Sequence, residues 1–414
     1  MSHMLLLIRW SSLLSVATVL GAAPNSTAEW LAHRTKLTIA VRGVDHLPTK
    51  SDPDWIVPNI APRVTGLIWN LSHPGFFEIN STVFYAPCSG DPKKPADQAF
   101  LFHHGHTNCI QCPGASNSGT YKCVPGCKSP TNVDGSWWDL YNVSDFLHSI
   151  GFDVFIISMP LKGVNVGPGS NASFMNTDHW WFLQWEQRGD HPMSYFLDDV
   201  FMTANYATER LKIRRLYMAG LSGGGWTTTF AAAMDPRIIG SFPIAGSIPC
   251  AMRDPNGKSW PVGNDQEDFE QNCSPNPNPT MPAHPGRAAF RACNYTCMYL
   301  LAGLEPHRWQ VQMLHERDSC CFATAGRHDQ MRAYEANVRA ELVAAGRAKT
   351  GHGWFTVTAD NHTKHEVCDR DKATIATVMK TAGYLPGATA WDDLPCDIIH
   401  APQGPTCPAD LPPP

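Results

Sequence analysis

The feature that most limits how this chain can fold is a strand, a glycine turn and a helix in immediate succession. Leu216, Tyr217, Met218 and Ala219 form an apolar run that leads into Gly220-Leu221-Ser222-Gly223-Gly224. A Thr/Ala-rich segment, Thr227 to Met234, follows and reads as helix. A serine at the tip of so tight a turn takes up strained backbone angles, and only neighbours without a Cβ let strand and helix pass beside it. The strain lifts the hydroxyl clear of the sheet, and the N–H groups that open the helix point to the same spot. The competing reading is a glycine-rich turn with an ordinary serine. The flanking strand and helix favour a reactive serine, provided that an acid and then a histidine follow downstream.

Around this point the chain alternates strand-like and helix-like segments. Val64 to Trp69 and Phe76 to Tyr85 read as antiparallel strands with turn signals at His73-Pro-Gly75. Ala99 to Phe102 is a short apolar strand that ends in His103-His104-Gly105-His106. Trp138 to Ile150 reads as helix, Phe152 to Met159 as strand, and Met193 to Arg210 as a helix with one apolar face. After the serine turn come strands at Ser241 to Gly246, Trp309 to His315 and Trp354 to Ala359, with helices at Asp329 to Ala345 and Asp371 to Ala382. Before Val64 little stands out beyond the apolar run Leu37 to Val41. Such alternation implies a mainly parallel central sheet flanked by helices on both faces.

Two insertions interrupt the pattern. Residues 107–132 hold Cys109, Cys112, Cys123 and Cys127. Short-spaced cysteine pairs suit zinc or disulfides, and disulfides are the expectation in an exported chain. Residues 253–297 are rich in Pro, Asn and Asp and read as an irregular cap that lacks the amphipathic face of a lipid-binding lid. The loop from Gly163 to Asp190 carries Trp180, Trp181, Phe182 and Trp185. It suits either a packed surface loop or a substrate-pocket wall that stacks on sugar rings or acyl groups. Residues 401–414 form a Pro-rich tail.

The 414 residues are 43% apolar and 17% charged, enough for one large α/β domain over residues 29–400. A net charge of −5 with scattered basic residues argues against a nucleic-acid partner. Residues 1–28 read as a signal peptide: Arg9 closes a short basic segment, Trp10 to Ala23 is apolar, and Ser26-Thr27-Ala28 suits cleavage. That apolar run is short of the ~20 residues a bilayer span needs, so no membrane span is expected. Fourteen cysteines agree with an oxidising compartment. So do the Asn-x-Ser/Thr triplets at Asn25, Asn70, Asn80, Asn142, Asn171, Asn272, Asn294 and Asn361, and the expectation is a secreted glycoprotein.

With the serine turn, the strand-then-His-Gly segment and the later acid and histidine on the page, the chain resembles a secreted member of the α/β-hydrolase superfamily over roughly Val64 to Tyr384. The resemblance implies a serine hydrolase with Ser222 as nucleophile and with Gly223 and His106 as oxyanion donors. For the acid, Asp318, just past a strand end, is favoured over Asp329, which opens a helix where ordinary capping suffices. For the base, His365 is favoured over His362, which lies inside the triplet Asn361-His362-Thr363. His103 and His104 are candidates for orienting the oxyanion loop. The mechanism needs no metal and no cofactor.

Three function classes follow. The first is hydrolysis of a small-molecule or carbohydrate-linked carboxylic ester. The second is peptide or amide hydrolysis by the same residues, and the third is an inactive hydrolase fold used as a binding module. Retention of Ser222, Asp318 and His365 argues against the third. Cys320 and Cys321 stand beside Asp318, and Cys368 stands just past His365. This spacing suits a disulfide between the acid and base loops, with pairing elsewhere as the alternative; loss of such a bridge costs ~2–4 kcal/mol. Peptide mass spectrometry of the unreduced protein is expected to find Cys368 joined to Cys320 or Cys321; Cys368 as a thiol would end the idea.

Overall fold

The structure, a computed structural model, describes residues 27–105 except 62, 74, 75 and 77; 139–161 and 165; 182, 185, 186, 188–249 and 252; and 287–319, 322–324, 326–347 and 354–382. The expected signal up to residue 26, the cysteine insertion, most of the cap and the tail lie outside these residues. Among the described residues, nine strands form one sheet: β1 (Trp55–Ala61), β2 (Val64–Ser72), β3 (Glu78–Ala86), β4 (Gln98–His103), β5 (Asp153–Ile157), β6 (Arg215–Leu221), β7 (Ile238–Ile244), β8 (Trp309–His315) and β9 (Trp354–Asp360). Their order is β1-β2-β3-β5-β4-β6-β7-β8-β9.

Connection lengths explain the pairing. β1, β2 and β3 are joined by short links and pair antiparallel, as hairpins do. β3 also pairs antiparallel with β5, and from β5 onward every neighbour is parallel. Parallel pairing requires long crossovers, mostly helical here: α1 (Thr27–Arg42) precedes the sheet, then come α2 (Asp139–Ser149), α3 (Asp198–Asn205), α4 (Gly223–Met234), α5 (Arg287–Ala292), α6 (Tyr295–Ala302), α7 (His328–Leu342) and α8 (Asp369–Thr381). β5 and β8 are buried along their whole length, as expected of strands covered on both faces. The strand order reverses direction between β4 and β6, and open α/β sheets bind ligands outside the strand ends at such a point. This sheet, with the strand–turn–helix at Ser222, is the α/β-hydrolase fold. No helix among the described residues is long and apolar enough to cross a membrane.

Several elements differ from the sequence expectation. β1 carries Pro58, and Trp55 and Ile56 are exposed on it; only an edge strand tolerates both. Helix α1 buries Trp30, Leu37 and Val41 at helical spacing, but Arg34 completes that face, and a charge there hides the apolar period. The segment expected as one helix from Met193 to Arg210 is divided. It comprises a 3₁₀ turn (Pro192–Phe196), α3, and a π turn (Tyr206–Arg210). Asp198 and Asp199 restart the helix at its favourable N-terminal end. The expected cap boundary at residue 297 falls inside α6, which packs on α4 as part of the core. Cys293 and Cys297 form a disulfide there, and Asn294 Oδ1 caps α6 by accepting from Cys297 N–H at 3.0 Å.

Arg34 fastens α1 to the body. Its guanidinium donates to the carbonyls of Ala233 (2.8 Å) and Leu301 (3.0 Å) and pairs with Glu305. Arg308 donates to the Leu301 and Ile238 carbonyls and to the same Glu305 carboxylate. Burial opposes ionisation of Glu305, but the two guanidiniums outweigh it and bring its carboxyl down to about 2. Glu305→Gln leaves two cations facing one another in a largely buried site and is expected to cost about 3 kcal/mol in urea unfolding at neutral pH. The native carboxyl lies below its unfolded value, so its contribution is present above about pH 4.5 and fades as pH falls toward 2. The gap between wild type and variant is expected to narrow across that window.

Candidate active site

Ser222 sits between β6 and α4 with φ +59° and ψ −128°, a conformation that costs a non-glycine residue of order 1–3 kcal/mol. The turn is held on both sides: Ser222 N–H donates to the Ile244 carbonyl (3.0 Å), and its own carbonyl accepts from Trp226 N–H (3.0 Å). Residue 222 is partly exposed while Gly223 to Met234 are buried. Gly223 and Gly224 begin α4, where a helix leaves its first N–H groups without intrahelical acceptors. The next residues settle the helix into the core. Thr227, Thr228 and Thr229 return their hydroxyls to the carbonyls of Gly223, Gly224 and Gly225 at 3.0, 2.7 and 3.1 Å.

The end of β4 lies against this turn. His103 is in register with Gly220, and a Cβ on Gly224 would strike the His103 carbonyl and come within 2.8 Å of Gly105 N. A Cβ on Gly105 would in turn come within 2.6 Å of the Leu221 carbonyl oxygen. Gly105 itself has φ +71° and donates its N–H to His103 Nδ1 at 3.2 Å. His104 is buried, neither of its ring nitrogens has a hydrogen-bond partner among the described residues, and burial pushes the ring down to about 3. It is therefore neutral at physiological pH. His106, the expected second oxyanion donor, lies outside the described residues.

The expected acid and base meet. His365 Nδ1 is 2.8 Å from Asp318 Oδ2 and 3.0 Å from Oδ1. The Asp318 side chain is fully buried and the His365 side chain is 19% exposed. Nε2 of His365, on the far side of the ring from Asp318, is buried without a hydrogen-bond partner among the described residues. Asp318 follows β8 and His365 follows β9, so both belong to the carboxyl edge of the sheet where β6 delivers Ser222. The rivals sit elsewhere. Asp329 is exposed in the first turn of α7. His362 is buried, with Nε2 3.1 Å from Glu366 and its ring edge-on to His315. Cys368 is disulfide-bonded, while Cys320 and Cys321 lie outside the described residues.

A Ser–His–Asp set with direct contacts lies elsewhere, on residues the sequence does not single out. His73 Nδ1 is 2.6 Å from Asp190 Oδ1, and His73 Nε2 is 3.0 Å from Ser194 Oγ. Its surroundings deny it the chemistry. Ser194 is 1% exposed, its hydroxyl donates to the His191 carbonyl at 2.6 Å, and it lies in a 3₁₀ turn rather than on a strained strand–helix bend. The set pins the β2–β3 turn to the segment before α3. No signal in the sequence marks it, because its members are 121 residues apart at the widest.

The aromatic loop divides. Phe182 and Trp185 are buried and pack on one another (5.0 Å between centroids) and on Tyr195. Phe182 also touches Phe196, which packs edge-on against Trp226 of α4. These two rings are core. Trp180 and Trp181, the pocket candidates, lie outside the described residues.

No protein-family model and no curated protein sequence matches the chain. Solved structures do resemble it. An esterase of Pyrococcus furiosus is similar over 81% of this chain and 98% of its own, at 12% identity and a TM-score of 0.43. Acetyl xylan esterase 1 of Thermoanaerobacterium is similar over 86% of this chain and 94% of its own, at 11% identity and a TM-score of 0.45. An acylaminoacyl peptidase of Pyrococcus horikoshii is similar over 80% of this chain but 43% of its own, at 10% identity and a TM-score of 0.45.

The contact between β4 and the serine turn is backbone on backbone, so no side-chain rotation can relieve an added methyl. Gly224→Ala is expected to destabilise the protein by about 1–3 kcal/mol or more, read from chemical denaturation. Gly189→Ala, whose Cβ meets nothing within 4 Å but whose φ is +91°, measures the cost of backbone strain alone.

Proposed function

We propose that this chain is a serine hydrolase that cleaves carboxylic esters, with Ser222 as nucleophile, His365 as general base and Asp318 as its orienting acid. The observation that carries the reading is the Asp318–His365 pair: a buried carboxylate fixes Nδ1, and Nε2 has no partner among the described residues, at the strand edge that carries a strained, partly exposed serine.

The chemistry follows from those roles. A serine hydroxyl is a weak nucleophile until a neighbouring imidazole takes its proton as attack proceeds. His365 accepts that proton at Nε2 and returns it to the leaving alcohol, while water later repeats the cycle on the acyl-enzyme. Asp318 keeps the proton on Nδ1 and stabilises the imidazolium without being protonated itself. The oxyanion that forms at the carbonyl meets the N–H groups opening α4, Gly223 first, with His106 as the second donor. Each such donor is worth ~10²–10³ in turnover. The polar, proline-rich composition of the cap and the tryptophans at 180 and 181 favour a small or carbohydrate-linked ester over bulk lipid. Secretion belongs to the same proposal and rests on the leader, the cysteines and the glycosylation triplets.

A panel of p-nitrophenyl esters and amino-acid amides tests the reading. Ester turnover is expected, and Ser222→Ala is expected to abolish it. An organophosphonate is expected to modify Ser222 and to leave Ser194 untouched, as located by peptide mass spectrometry. Asp318→Asn is expected to lower kcat by ~10²–10⁴ and His365→Ala by at least as much. Asp329→Asn should stay within about twofold, and His362→Ala within about tenfold. Amide turnover without ester turnover would point to a peptidase. Neither turnover nor labelling would leave a hydrolase fold used for binding.

A further inference from the structure

Behind the Asp318–His365 pair lies a second imidazole and carboxylate group that the mechanism does not use. His315 ends β8, in register with Asp360, which ends β9. The His315 side chain is fully buried, and its Nε2 lies 3.1 Å from Asp371 Oδ2 in the first turn of α8. The same Asp371 oxygen accepts the Cys368 N–H at 2.8 Å, and Asp360 Oδ1 accepts the His362 N–H at 3.0 Å. The acid and base loops are also joined by backbone: Glu316 N–H donates to the Asp360 carbonyl (2.7 Å) and Arg317 N–H to the His362 carbonyl (3.2 Å). His315 is thus the side chain that bridges from the strand bearing the acid to the helix that follows the base.

We infer that His315 is a positioning residue: by binding Asp371 beneath the two loops, it holds the Asp318 carboxylate in line with the His365 ring. This rests on the serine-hydrolase reading for its consequence in catalysis. A metal at the same place is the competing use of these groups, since ligand atoms of His315, Asp360, Cys368 and Asp371 lie within 4.8 Å of one another. The donor set does not suit one. Cys368 is in a disulfide and offers no thiolate, and His315 Nε2 is already directed at Asp371.

The charge on the ring supports the role. Burial would push the His315 imidazole down, but Asp371, with Asp360 and Asp318 behind it, outweighs burial and raises it to about 9. Its Nδ1 has no hydrogen-bond partner among the described residues. His362, edge-on at 5.0 Å between centroids, is the other titratable ring that faces it. An imidazolium here lets carboxylates from the β8 loop, β9 and α8 stand close without driving the loops apart. The native value lies above the unfolded one, so the stabilisation is complete below about pH 6.5 and is lost as pH rises through about 9.

The test uses the full-length protein, with His315→Gln and Asp371→Asn checked for cooperative melting. The readouts are the deshielded proton of the Asp318–His365 hydrogen bond by NMR and the rate of organophosphonate labelling at Ser222 from pH 6 to 10. Each folded variant is expected to weaken or lose the proton signal. Each is also expected to label about 10-fold or more slowly, with the half-saturating reagent concentration within about twofold of wild type. Wild-type labelling should decline as pH rises through about 9. Folded variants that keep both the signal and the wild-type rate overturn the inference. If neither variant folds, wild type alone decides: a proton signal and a labelling rate unchanged up to pH 10 overturn it. A wild type that is not labelled at any pH sinks the hydrolase reading instead, and the proton signal in the variants then decides the role of His315 by itself.

Discussion

The carbonyl oxygen of His103 occupies the space that a Cβ at position 224 would need, and much of the structure depends on that contact. It brings the first turn of α4 against the end of β4, with backbone meeting backbone. Gly220, Gly225 and Gly246 repeat the arrangement on neighbouring faces of the same turn. A serine in such a place cannot relax to ordinary angles, because the helix behind it and the strand before it are both locked into the core. Strain at residue 222 is therefore maintained by packing throughout the middle of the sheet. The cost falls on global stability, while the benefit is local: one partly exposed hydroxyl beside the opening N–H groups of a helix.

Much of this was legible in sequence because it is local. The spacing of glycines around Ser222, the apolar runs and the position of Asp318 and His365 after strands are short-range patterns, and the sheet realises them in order. What the sequence hid is long-range. Arg34 sits on the buried face of α1 and breaks its apolar period, and nothing nearby announces its partners, Glu305 and the carbonyls of residues 233 and 301. β1 was hidden by Pro58, which is tolerated only because the strand lies at the sheet's edge. His315 reads as one more residue of a buried strand, and Asp371 as an ordinary acid at a helix start. Their meeting is visible only once β8 and β9 are aligned.

The His73 contacts make clear that a Ser–His–Asp pattern is not itself the chemistry. The His73 set has the shorter carboxylate contact and a direct Ser–His distance of 3.0 Å. Yet its serine is closed to solvent and its hydroxyl proton is committed to a backbone carbonyl. At the Asp318–His365 pair the outward nitrogen has no partner among the described residues, and the serine on the same sheet edge is held in strain. A network whose donors already have their acceptors is a fastening. An unsatisfied nitrogen in a buried place costs stability.

The same reasoning reaches beneath the loops. Asp318, Asp360 and Asp371 converge in a low-dielectric region where like charges repel strongly. Asp360 shows the strain: burial first, and then Asp371, raises its carboxyl above the usual range. Without a cation the cheapest relief is protonation or separation, and either would disturb the Asp318 carboxylate that holds His365 Nδ1. A lysine or arginine would supply charge on a long, mobile stem. Histidine supplies it on a short, rigid ring that reaches from the end of β8 to Asp371 in the first turn of α8. A fold that places several carboxylates at one sheet edge favours a compact buried cation there, a place that His315 occupies at the end of β8.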